Sequence, residues 1–303
     1  MILKIDDNNI YDEKKTSDYY NEVWSEKKNS DIKKDEIEIP GGFHWGLFEK
    51  GIKTMHEAMV NMNDYVGKML DLDQDGQKKI LDAGCGMGTT SLHLARKYPN
   101  VTFTGMSLGQ NEVLLAKKYS KKLGLKNVNF LKVNYLETGF PDNYFDSVFA
   151  LESLSYANNK KEFVDEMYRI LKPGGKLLVI DGFRKYIPTN VFLYRLYSFH
   201  GKKRGGSDLF IKKDFESQLK LKGFQNIFSK DLSKNISMSF IVCFFDSAPM
   251  ILKSIIKLRK KDKFGEKQGE SYDPGWVFMD FFFGLLKIST YNSIIAEKQG
   301  EIK

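Results

Sequence analysis

The chain is 303 residues long, 42% hydrophobic, 28% charged and 14% aromatic, a composition with core material for one large globular domain or two small ones, which excludes a disordered tail or a fibre. No run approaches the roughly 20 apolar residues of a membrane-spanning helix, Met1 to Asn9 lack the basic-then-apolar order of a signal peptide, and two cysteines, Cys85 and Cys243, build neither a disulfide framework nor a cysteine zinc site; a cytoplasmic setting is the expectation. The net charge is +8 and its excess lies beyond residue 185, densest over Lys253 to Lys263 and at Lys202-Lys203-Arg204, which suits a solvated face first, and otherwise an anionic ligand, a lipid headgroup or a nucleic acid.

Taken in chain order, residues 1–40 are polar with aromatics at Tyr11, Tyr19, Tyr20 and Trp24, and Tyr19 to Lys27 suits a short helix. Pro40-Gly41-Gly42 punctuates the chain before the cluster Phe43-His44-Trp45-Gly46-Leu47-Phe48. Ile52, Met55, Met59, Met62, Val66 and Met69 recur at three- and four-residue steps, predicting a helix over about 51–70 whose methionine stripe is core. From Lys79 strands and helices alternate. Strands are expected at Lys79–Ala83, Val101–Gly105, Val128–Val133, Phe145–Ala150 and Lys176–Asp181, with a turn at Leu171 to Gly175 entering the last. Helices are expected up to Lys97, up to about Leu123, and over 160–171. Such alternation predicts a parallel sheet covered on both faces, with ligands at the carboxyl ends of its strands. Lys212–Leu221 reads as a helix, Gln225–Lys230 as a strand and Ser293–Lys298 as a closing strand. Aromatic-rich stretches at 186–210 and 236–285 read as insertions.

The sharpest motif is Ile80-Leu81-Asp82-Ala83-Gly84-Cys85-Gly86-Met87-Gly88-Thr89-Thr90, which leaves a strand and opens a helix. Its glycines permit a tight turn and let a ligand lie against bare main chain. The spacing G-x-G-x-G with Asp82 just before it differs from the dinucleotide fingerprint, and a carboxylate there suits a cationic ligand better than a pyrophosphate. The string resembles the first motif of class I S-adenosylmethionine-dependent methyltransferases. Phe140-Pro141-Asp142-Asn143-Tyr144-Phe145-Asp146 and Arg169-Ile170-Leu171-Lys172-Pro173-Gly174-Gly175-Lys176-Leu177 resemble the family's approaches to its fourth and fifth strands. The resemblance spans roughly residues 40–235.

It implies a Rossmann-like, doubly wound, mostly parallel seven-stranded α/β sheet, with an N-terminal helical lid over 1–75, a core over 76–303 and a cap from the insertions. It implies S-adenosyl-L-methionine as cofactor, with Gly84, Cys85, Gly86 and Thr90 in the binding loop and Asp82 beneath it, ordering that loop and the cofactor's ammonium group. The usual acid at the end of the second strand is missing: Gly105-Met106-Ser107-Leu108 stands there. That departure resembles the sterol, tocopherol and cyclopropane-type branch, which implies Ser107 and Glu112 near the ribose, Leu108 on the adenine, Asn134 and Tyr135 at the adenine edge, and Leu151 at the loop. The residue types of Ser107 and Glu112 equally suit a cap and a helix start.

Leu151-Glu152-Ser153-Leu154-Ser155-Tyr156 closes the fourth strand. In that branch a Glu-Ser pair stands here with a Tyr or His three residues on, and Glu152, Ser153 and Tyr156 resemble the tyrosine version of the prenyl diphosphate C-methyltransferases. Methylating an alkene creates a carbocation, and a carboxylate beside it stabilises the cation and then takes a proton. The alternative for Glu152 is a hydrogen bond to the N-terminal segment. His44 and Trp45 resemble a segment that closes over the cofactor in this branch, and Tyr19 is expected to join it, since aromatic faces attract a sulfonium. These readings give Glu152, Tyr156 and His44 as catalytic candidates and Tyr19, Trp45 and Ser153 as acceptor contacts. The four histidines show no metal-ligand spacing, so no metal is expected. The expected acceptor is a small lipophilic molecule, with a polar amine, sugar or hydroxyl acceptor as the alternative and a nucleic acid, which the basic last third allows, as a third reading. No nucleic-acid module is recognisable. Residues 250–263, an apolar half followed by a basic half, read first as a cap helix with a solvated basic end, with contact to a membrane surface or to a diphosphate as the alternatives.

Overall fold

The computed structural model describes residues 44–73, 76–157, 159–186, 209–242 and 286–300, with isolated positions at 190, 192–193, 195–196 and 284. Tyr19, Phe43, the basic run at 253–263 and most of the two insertions lie outside the described residues.

Helix α1 (Met55–Met69) begins at Thr54, whose hydroxyl accepts from the Glu57 amide while the Glu57 carboxylate accepts from the Thr54 amide. This reciprocal cap satisfies two of the amide donors that every helix start leaves open. The alternation then runs β1 (Lys79–Ala83), α2 (Thr89–Lys97), β2 (Thr102–Ser107), α3 (Gln110–Lys122), β3 (Val128–Lys132), β4 (Phe145–Leu151), a single 3-10 turn at Leu154–Tyr156, α4 (Lys160–Ile170), β5 (Leu171–Arg184), α5 (Lys212–Lys222), β6 (Phe224–Asp231) and β7 (Ser289–Lys298). A further helix, α6, covers residues 233–242. The seven strands form one sheet in the order β3-β2-β1-β4-β5-β7-β6. Strands β1 to β5 pair in parallel, and β7 runs antiparallel between β5 and β6.

Both faces are covered because successive strand residues point opposite ways. Leu81, Leu177 and Val179 pack with Phe163 and Met167 of α4 and Phe215 of α5. Their neighbours Ile80, Leu178 and Ile180 pack on the other side with Met62 and Val66 of α1, Leu94 of α2 and Ile236 of α6. Each such side chain, fully withdrawn from water, contributes roughly 1.5–3 kcal/mol. The apolar run of β5 is therefore continuous, as the parallel sheet requires.

Three expectations are corrected. Strand β2 runs to Ser107, not Gly105, because its parallel ladder with β3 continues to Ser107 opposite Lys132. The turn at Leu171 to Gly175 is a bulge within β5: the register jumps from Phe145 opposite Leu171 to Ser147 opposite Lys176, and Gly174 takes a positive φ of 76°. Residues 236–242 begin the expected second insertion, yet they belong to α6, whose Ile236 is buried against the sheet.

Candidate functional site

The strand order reverses between β1 and β4, and such a switch point opens a crevice at the carboxyl edge of a parallel sheet. The loop Gly84–Gly88 lies there. Gly84 and Cys85 both donate to the Met106 carbonyl, at 3.0 and 2.7 Å, and Gly88 donates to the Cys85 carbonyl at 2.8 Å. Gly84, at φ 95°, lies so close to Ser153 that a Cβ would fall 2.3 Å from the serine Cβ, and Gly88, at φ 76°, presses as closely on Phe130. Gly86, also left-handed at φ 50°, is open among the described residues: of these, the one neighbour within 4 Å of its Cβ position is Glu112 Oε1, at 3.7 Å. The loop thus has two glycines forced by packing and one that leaves bare main chain beside a carboxylate.

Asp82 is buried beneath the loop, where its Oδ2 accepts from Ser91 at 2.7 Å. Burial raises its pKa to about 7, against the lowering effect of that hydrogen bond. The Cys85 thiol, whose Sγ donates to the Gly86 carbonyl, is pushed well up by burial, with Asp82 and Glu112 adding to the shift. It stays a neutral thiol, not a nucleophile. Ser107, at the end of β2, donates to Glu112 Oε2 and accepts from the Gly109 amide. Both side chains are buried, and Glu112 lies in the first turn of α3. Leu108 is half-buried beside them. Asn134 caps the turn after β3 by accepting from Leu136 at 2.9 Å. Tyr135 packs edge-on against Phe163 and donates to the Ser153 carbonyl at 2.8 Å, while the Ser153 hydroxyl donates to the Ala83 carbonyl. Ser153 therefore ties β1 to β4, and Tyr135 ties both to β3.

Glu152 follows β4 with φ 52°, a left-handed backbone rare for a side chain of this size. Its Oε1 accepts from the Trp45 amide at 2.7 Å and from the Tyr291 hydroxyl at 2.6 Å. Burial, then the nearby Glu152 charge, raises the Tyr291 pKa well above its ordinary value, so the hydroxyl keeps the proton it donates. Tyr156 is half-buried on the following 3-10 turn. Asp181, buried on β5, accepts from the Ser155 amide at 3.0 Å and the Gly182 amide at 2.7 Å, and so holds that turn. Leu151, half-buried, leads into Glu152.

The segment His44–Phe48 closes over this edge. Gly46 is a close-approach glycine: a Cβ would lie 2.5 Å from Ala58 Cβ. The Gly46 carbonyl accepts from Ser239 at 2.8 Å, Phe48 exchanges bonds with Asn235, and Trp45 packs on Phe240 with ring centroids 4.4 Å apart. Thr90 donates to Asn63 Oδ1 at 2.8 Å, joining α2 to α1 beside His44. Among the described residues no three His, Cys, Asp or Glu side chains converge as a metal site, and no helix is long and apolar enough to cross a membrane.

The fold thus brings His44, Trp45, Asp82, Gly84, Cys85, Gly86, Thr90, Ser107, Leu108, Glu112, Asn134, Tyr135, Leu151, Glu152, Ser153 and Tyr156 to one edge of the sheet or the loops packed on it. Sequence reasoning missed Tyr291, Asp181, Asn63 and the α6 residues Asn235 and Ser239.

Residues 81–179 match the methyltransferase domain family. The sterol 24-C-methyltransferase ERG6A of Gibberella zeae is 34% identical over 134 residues, 44% of this chain and 34% of that protein. The cycloartenol-C-24-methyltransferase of Arabidopsis thaliana is 29% identical over 199 residues, 64% of this chain and 57% of that protein. The chain therefore spans well under two thirds of these relatives. Among solved structures, a geranyl diphosphate C-methyltransferase from Streptomyces coelicolor A3(2), in complex with Mg2+, geranyl diphosphate and S-adenosyl-L-homocysteine, superposes with a TM-score of 0.68 at 15% identity, covering 97% of this chain and all of that one.

Proposed function

We propose, from the premise that this chain carries a class I S-adenosylmethionine-dependent methyltransferase domain, that it methylates a small lipophilic acceptor of the isoprenoid or sterol kind, at an alkene carbon. The residues fit the cofactor. Gly86 leaves its main chain open, and Glu112 with Ser107 offers oxygen acceptors to ribose hydroxyls at one flank of the loop. Asp82, occupied with Ser91 beneath, orders the loop from below. When bound, the cofactor supplies an electrophilic methyl group on a sulfonium.

The observation that carries the reading is Glu152: a carboxylate in a left-handed backbone, clamped by two donors at the strand edge where ligands bind. Addition of a methyl group to an alkene carbon leaves a cation on the neighbouring carbon. A fixed carboxylate stabilises that charge without having to reorganise, and then takes a proton from an adjacent carbon, restoring a double bond and leaving Glu152 neutral. Trp45, buried against Phe240, shields this edge from water, which would otherwise capture the cation. The same Glu152–Trp45 bond means the acid also fastens the overlying segment, so the two alternatives drawn from the sequence are compatible.

A second reading, transfer to nitrogen or oxygen of a polar acceptor, is favoured by the polar character of this edge, where Tyr291 donates to Glu152 and the paired residues Asp181 and Asn292 of β5 and β7 are buried. Incubation with methyl-labelled S-adenosylmethionine and separate pools of prenyl diphosphates, sterols, amines and sugars decides between them. Label in a prenyl or sterol carbon skeleton, lost in Glu152→Gln, is the expected result. Label confined to amines or hydroxyls overturns it. The setting proposed with this reading is cytoplasmic, with peripheral membrane contact where such acceptors reside.

A further inference from the structure

His44 is almost fully buried, and its Nε2 has no hydrogen-bond partner among the described residues. A buried polar atom without a partner costs about 1–3 kcal/mol, so an unfilled one in a ligand cleft points to a ligand. The other ring nitrogen, Nδ1, faces the Trp45 carbonyl at 3.2 Å. A carbonyl only accepts, so this contact assigns the ring proton to Nδ1. Burial lowers the imidazole pKa, the Trp45 and Asn63 contacts opposing that and the charge of His93 adding to it. The ring is therefore neutral and Nε2 is a bare lone pair, which needs a donor. Asn63 is the neighbouring polar group: its Oδ1, which accepts from Thr90, offers the lone pair nothing, and its Nδ2 amide makes no hydrogen bond to Nε2.

Position narrows the donor further. Trp45 is fastened to Glu152 at the β4 end, and His44 sits by the Asn63–Thr90 pair at the first turn of α2. Glu112 stands at the opposite flank, beside Gly86. A sulfonium cofactor with its ribose at Glu112 and its methyl group toward Glu152 leaves its amino-acid end beside His44. That end carries an ammonium, which donates, and a carboxylate, which accepts. A bare lone pair pairs only with the former. Resting on the cofactor reading above, we propose that His44 Nε2 accepts a hydrogen bond from the α-ammonium group of S-adenosylmethionine. This makes His44 a cofactor-binding residue, not the acid or base of the methyl transfer.

The test is calorimetric titration of the full chain with S-adenosylhomocysteine, its des-amino analogue and 5′-methylthioadenosine, which lacks the whole amino-acid end. The wild-type chain is expected to prefer S-adenosylhomocysteine over the des-amino compound by about 10-fold or more, as a hydrogen bond to a charged group provides. His44→Ala is expected to lose that preference while binding the other two ligands unchanged. If the alanine chain does not fold, as judged by its melting curve without ligand, His44→Phe removes the acceptor and keeps the ring volume. A wild-type chain that does not distinguish the first two ligands overturns the proposal. So does a variant that weakens all three equally, which would mark His44 as packing alone. A wild-type chain that binds none of the three overturns the cofactor reading itself.

Discussion

Replacing Tyr291 by Phe removes one oxygen from a buried ring and leaves its volume, so no cavity opens. What is lost is the 2.6 Å bond to Glu152 Oε1. A hydrogen bond to a charged acceptor is worth about 1.5–3 kcal/mol. Because the Trp45 amide still holds the same oxygen at 2.7 Å, the carboxylate keeps one of these two donors, and the lower end of the range applies. About 1.4 kcal/mol of lost positioning lowers kcat/KM about 10-fold, with a fall in Tm of about 2–4 °C. The assay is methyl transfer by Tyr291→Phe, Glu152→Gln and the double variant. If Tyr291 works through Glu152, the double variant is no slower than Glu152→Gln alone, because the two belong to one interaction. Independent, multiplying losses would refute the reasoning, and so would a Tyr291→Phe enzyme with undiminished kcat/KM.

Asp82, whose pKa rises from 3.8 to about 7 on folding, binds its proton more tightly in the native chain than in the unfolded one. Its contribution to stability is therefore largest below about pH 4 and is lost as pH rises through 7; Asp82→Asn, compared with wild type in urea unfolding from pH 4.5 to 7.5, should flatten that decline, and parallel curves would contradict it. Gly88→Ala should cost about 3 kcal/mol in chemical denaturation, since it combines a left-handed φ of 76° with a Cβ 2.3 Å from Phe130; a loss below 1 kcal/mol would mean that Phe130 yields.

The alternating core was legible because its strands are short apolar runs buried on both faces and its helices carry an apolar stripe; Lys79–Ala83 and Thr89–Lys97 fall where the pattern puts them. Glycine spacing located the loop, but not which glycines are forced: that depends on Ser153 and Phe130, which the sheet alone brings near. Helix α6 had a readable signal, Ile236 and Phe240 four residues apart, hidden in a stretch taken as one aromatic insertion. The bulge in β5 was read as a turn because Pro173-Gly174-Gly175 has the same local chemistry in either setting; only pairing with β4 separates them. Tyr291 left no trace, since it lies 139 residues from Glu152 and reaches it through antiparallel pairing of β7 with β5. Sequence periodicity reports which face a residue occupies, not which distant strand lies beside it.

The placement of β7 has a consequence for biosynthesis. This strand pairs with β5 along nine positions from Arg184 to Lys176 and with β6 on its other side, yet it is made after all the others. A nascent chain that has reached residue 288 has every part of the glycine loop, with two hydrogen-bonding edges still unsatisfied and Glu152 lacking its tyrosine. Until the ribosome delivers residues 289–298, those edges invite pairing with other chains, so the interval before β7 docks is when this protein most needs a chaperone. Chains terminated within it should be recovered as aggregates without methyl-transfer activity.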